Sequence, residues 1–157
     1  MIGLIVAIVV FNTLAFITNQ RLNKNKIVHI WIFTVALQLL FDLFVDQKYQ
    51  GYWYFTQDVD WEALPALTLL VPPVNIMFLN WYPFKASLVK QSIYVFWWWV
   101  IILAYEAISL LPEPWGYFHY GWWKFSYSAL INPLLLWIIL KYYIWVCQLE
   151  KEAALQK

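Results

Sequence analysis

Asp42 and Glu106 each lie inside a long apolar run, where an ionised carboxylate is costly unless it is paired, hydrated or protonated. Each therefore marks either a polar site or an interhelical contact. Gln38, Asp42 and Asp46 recur every four residues, which puts them on one helical face, and Thr34 extends that stripe. Glu106, Ser109 and Glu113 recur at spacings of three and four and form a second stripe, loosened at its end by Pro112. Asn75 shares a face with Thr68, and Ser128 shares one with Asn132. If these faces converge, Gln38, Asp42, Asp46, Asn75, Glu106, Ser109, Glu113 and Asn132 form one site for a cation, a proton or a polar headgroup. The plainer alternative makes Asp42 and Glu106 hydrogen-bond glue between helices.

Charge counting sharpens the choice. Seven of the nine acidic residues, Asp42, Asp46, Asp58, Asp60, Glu62, Glu106 and Glu113, fall on one side of the chain's apolar blocks, where only Lys48, Lys124 and His119 offer positive charge. At least four carboxylates lack a protein cation, so they hold protons, face water or meet a cationic ligand. Glu106 as acid and Asp42 as base is also the pair that an enzyme acting on a lipid or isoprenoid would need. No HExxH, GxSxG, P-loop or paired-cysteine motif supports catalysis. The single Cys147 excludes an intrachain disulfide and a multi-cysteine metal site, so no metal centre is expected and no cofactor is specified.

These residues must be carried by membrane helices. With 64% hydrophobic and 12% charged residues, the chain has too little polar surface for a soluble domain of 157 residues. Apolar blocks at about 2–18, 27–45, 63–81, 93–111 and 127–147 are long enough to cross about 30 Å of hydrocarbon at about 1.5 Å per residue. Lipid cannot satisfy backbone N–H and C=O groups, so each block is helical. The expectation is one all-α domain over 1–157, an integral membrane bundle of five transmembrane helices with a short tail at 148–157. The first block has no basic leader and no small-x-small cleavage site, and is read as retained.

Eight of the ten Lys and Arg residues lie in the first loop, the third loop and the last helix with its tail. The positive-inside rule puts those segments in the cytoplasm and the amino terminus outside, in a multi-pass protein of the cell membrane. Lys141, near the inner end of the last helix, reaches the interface by snorkelling. Pro72 and Pro73 remove two backbone donors, predicting a kink whose freed carbonyls lie beside Asn75. The aromatic runs GYWYF and WGYFHYGWWKF place Trp53, Trp115, His119, Trp122 and Trp123 on the acidic side, as an interfacial belt or a surface for organic cations or sugar headgroups.

The segments FDLFVDQKYQGYWYF, LTLLVPPVNIMFLNWYPF and LPEPWGYFHYGWWKFSYS together resemble an uncharacterised family of small polytopic membrane proteins from Bacillus-like and Clostridium-like spore-forming Firmicutes. The resemblance runs from about Val28 onward. It implies a Gram-positive cell membrane and a sporulation context, and transfers no catalytic or binding role. The first functional reading is a small binding or accessory membrane protein rather than an enzyme. A lipid- or isoprenoid-modifying enzyme and a transporter or channel subunit are the alternatives. Expected partners are the lipid bilayer and either a membrane protein or a second copy of the chain; the few scattered basic residues exclude nucleic acid.

Overall fold

The computed structural model describes residues 1–58 and 61–156; Asp60 and Lys157 lie outside the described residues. Helix α1 covers Ile2–Thr18. Helix α2, Lys24–Asp42, widens into a π-helical stretch at Leu43–Lys48. The third helical region runs through a 3-10 turn at Trp61–Ala63 and a π-helical stretch at Ala66–Leu70 into α3, Val71–Trp81. Helices α4, Leu88–Ser109, and α5, Phe125–Leu155, complete the set. Four helical regions, Lys24–Lys48, Trp61–Trp81, Leu88–Ser109 and Phe125–Leu155, are long and apolar enough to cross a membrane, while the apolar α1 is shorter at 17 residues.

The fold is not all helix. The two aromatic runs, which the all-α expectation left without strands, pair as antiparallel strands, β1 at Tyr52–Tyr54 and β2 at Phe118–Tyr120, in the register Tyr52 with Tyr120, Trp53 with His119 and Tyr54 with Phe118. Pairing satisfies backbone groups that an aromatic loop packed against the helices would otherwise leave unbonded, and aromatic residues favour such a surface. Gly121 permits the close approach, because a Cβ there would lie 2.3 Å from the Gln50 carbonyl oxygen. This strand pair defines one end of the molecule, the strand-pair end; the opposite end carries the basic loops.

The prolines stand where the π-helical stretch passes into α3, Val71 keeps helical geometry despite the proline after it, and a neighbouring helix supplies a donor they lack. An α-helix would pair the Leu69 carbonyl with the N–H of residue 73, which Pro73 lacks. Asn12 of α1 donates to that carbonyl at 2.9 Å. Pro133 inside α5 orphans the Ala129 carbonyl in the same way, and Trp99 of α4 donates to it at 2.9 Å. One of the carbonyls freed by the prolines thus joins α1 to the third region.

At the basic end, buried Asn80 accepts from the backbone N–H of Gln20 and Arg21 and donates to the Thr18 carbonyl, which ties the turn after α1 to α3. Arg21 donates to the carbonyls of Leu79 at 3.1 Å and Tyr82 at 2.6 Å, satisfying groups at the C-terminus of α3, where a cation also suits the helix dipole. Glu150 joins α5 to the start of α2 through Lys26 at 3.2 Å and Asn25 at 2.8 Å. The core centres on fully buried Phe78, with Tyr82, Tyr94 and Trp98 around it. Lys141 is exposed, with its amine 5.7 Å from the Trp137 ring.

Candidate functional site

Helix α4 packs closely on α5, whereas its links toward α1 and α3 are made by long aromatic side chains. Tyr105 meets Phe11 edge-on at 5.2 Å, and the Tyr94 hydroxyl donates to the Phe78 carbonyl at 2.8 Å. The space between is a cavity of about 470 Å³. Gln38, Asp42, Asn75, Glu106, Ser109 and Asn132 all line it, so the stripes on α2, α3, α4 and α5 do converge. Asp46 and Glu113 do not join them. Asp46 is buried one turn beyond Asp42, in the π-helical stretch whose wider turn rotates it off the cavity face. Glu113 follows the end of α4 and is exposed.

The strand pair closes one end of the cavity. Side chains alternate across a strand, so Tyr52, Tyr54 and Phe118 face the cavity while Trp53 and His119 stack on the other face at 6.1 Å. Of the five aromatic candidates, Trp123 alone lines the cavity. Trp122 is exposed and donates to the Tyr49 carbonyl at 2.7 Å. Trp115 is exposed and contributes its backbone, which packs on Gly3 so closely that a Cβ there would lie 1.9 Å from its carbonyl oxygen.

Asp42 and the half-buried Glu106 are each held by hydroxyl groups. Tyr52 donates to one oxygen of Asp42. Tyr120 donates to Glu106 at 2.5 Å, and Ser128 donates to the same oxygen while accepting from Trp123 Nε1 at 2.8 Å. Burial first, then Tyr54 and the carboxylates of Asp42 and Asp46, hold the Tyr52 phenol well above its ordinary value, which keeps it a donor. Burial first, then the Glu106 hydrogen bond and charge, do the same for Tyr120. Ser109 donates to the Glu106 backbone carbonyl, and Asn75 donates to Thr34 at 3.0 Å, so both are engaged within the protein.

Three polar atoms at the cavity are not. Among the described residues, Asp42 Oδ2, Gln38 Oε1 and Asn132 Nδ2 are buried and have no hydrogen-bond partner. Leaving such atoms bare costs about 1–3 kcal/mol each. No Lys, Arg or His lines the cavity, and no three His, Cys, Asp or Glu side chains gather as a metal cage among the described residues. The arrangement offers two acceptors and one donor, beside two carboxylates, to whatever enters. Tyr52 and Tyr120 are the residues that the helical periodicities miss. Three-residue strands within uniformly aromatic runs carry no spacing signal for them. No family model, curated protein or solved structure matches the chain.

Proposed function

We propose that this chain is a small five-span protein of the cell membrane, amino terminus outside and carboxyl terminus cytoplasmic, that binds a cation or a polar headgroup in the cavity beneath its outer strand pair. Asp42 carries the proposal: it is 5% exposed, lines the cavity, and has one oxygen without a partner where no protein cation stands. Structural glue would use both oxygens on neighbouring helices. A bound cation or hydrogen-bond donor supplies the missing partner and stabilises the folded state by mass action.

The test is the thermal stability of the wild type, Asp42→Asn and Glu106→Gln in lipid nanodiscs, across inorganic cations, small amines and lipid headgroups. Stabilisation by one class that is lost in Asp42→Asn supports the reading. Uniformly earlier melting of both variants, with no response to any compound, makes the carboxylates structural and ends it. The same samples separate the alternatives, because an enzyme releases product from added lipid and a channel subunit passes cations across liposomes.

A further inference from the structure

We infer that the occupant is a membrane amphiphile, a single-chain amino alcohol, with its head at Asp42 and its chain along the seam between α1 and α4. This rests on the proposed binding function and names the ligand class. The cavity is long. Ala66 and Trp81 both line it, a separation of about 22 Å at 1.5 Å per residue. Spread over that length, about 470 Å³ makes a narrow, elongated space, a shape that suits one extended hydrocarbon chain.

Charge is confined to one part. Gln38, Asp42, Glu106 and Ser128 lie toward the strand-pair end, Thr34 and Asn75, bonded to each other, lie midway, and Leu14, Met77, Trp81, Trp98 and Ile139 line the remainder. Leu14, Trp81 and Ile101 line the cavity and are also 43%, 45% and 53% exposed, on three different helices. The apolar part therefore opens sideways, on the surface that four membrane-length helices present to lipid. A chain in this part meets apolar side chains, neighbouring lipid and the Asn75–Thr34 pair, whose hydrogen bond is already made.

The unpartnered atoms define the head. An ammonium group donates to Asp42 Oδ2 and Gln38 Oε1, and an adjacent hydroxyl oxygen accepts from Asn132 Nδ2. Two carboxylates with no basic residue lining the cavity repel a phosphate, which excludes anionic phospholipids as the occupant.

The test uses the full chain in phosphatidylcholine nanodiscs with 2-amino-1-hexadecanol, hexadecyl phosphate and ethanolamine as probes. The amino alcohol should raise the melting temperature in a dose-dependent way, and the other two should not at equal concentration. Asp42→Asn should weaken its apparent affinity about thirtyfold or more. Leu14→Trp, which narrows the chain path and leaves the head site intact, should abolish the response to the amino alcohol. Asn132→Leu removes an atom that has no partner, so it should fold and bind more weakly, which keeps the test decisive if Asp42→Asn fails to fold. If ethanolamine matches the amino alcohol and Leu14→Trp changes nothing, the amphiphile is overturned while headgroup binding stands. If hexadecyl phosphate stabilises best, the amino-alcohol head is overturned. If no probe acts on any variant, both inferences fall.

Discussion

Asn12 and Trp99 show how single side chains make this fold tolerate its prolines. Each donates to a carbonyl that a proline four residues later leaves unbonded, Leu69 before Pro73 and Ala129 before Pro133. Asn12→Ala should cost about 0.5–1.5 kcal/mol. In a Pro73→Ala background the restored N–H competes for Leu69, so the same substitution should cost less; a double-mutant cycle on thermal stability measures the difference. The phenols of Tyr52, Tyr54, Tyr117 and Tyr120 are all raised, by burial first. In the unfolded chain they ionise near pH 10. Above that pH the unfolded chain releases protons that the folded one keeps, so stability is full below about pH 10 and falls as pH rises beyond it. Tyr117→Phe should make that alkaline decline shallower in a melting-temperature series. Asp42 and Glu106 were legible from their apolar surroundings. Their donors Tyr52 and Tyr120 were not, because hydrogen bonding between a loop tyrosine and a helix carboxylate leaves no spacing rule in the chain.

At the scale of elements, the strand pair and α1 depend on two close approaches. Gly121→Val would drive a side chain into the Gln50 carbonyl and the Trp53 ring, and Gly3→Val into the Trp115 backbone. Each should destabilise by about 1–3 kcal/mol. Gly121→Val should in addition expose the cavity, read as increased quenching of tryptophan fluorescence by a water-soluble quencher, since Trp123 and Trp98 line it. Gly3→Val should leave that quenching unchanged while loosening α1 from the loop that begins at Pro112, where Gly3 donates to the Pro114 carbonyl at 3.1 Å. The helices were readable from apolar run length, and the change of helix type in the third region falls beside Pro72 and Pro73. The strand pair was hidden because a three-residue strand is too short to show alternation, and its partner lies 66 positions away in the chain, as Trp53 pairs with His119. The π-helical stretch at Leu43–Lys48 took Asp46 off the face that strict four-residue spacing assigned to it.

Over the whole molecule, the proposed orientation places the strand pair outside and the end of α5 in the cytoplasm. In a Cys147→Ser background, Thr56→Cys should react with a membrane-impermeant maleimide in intact cells, and Lys151→Cys only after permeabilisation. The reverse pattern would invert the topology and move the carboxylate site to the inner leaflet. Helical class and membrane-length runs follow from composition and run length alone, because the cost of bare backbone groups in hydrocarbon admits few solutions. So does the presence of buried carboxylates, since residue type and apolar context are local properties of the chain. Which carboxylates share a cavity, which hydroxyls hold them and which polar atoms stay unpartnered are set by how helices rotate about their axes and by strand pairing between distant loops. Those are long-range packing outcomes, and they made Asp42 and Glu106 neighbours of one space while leaving Asp46 and Glu113 outside it.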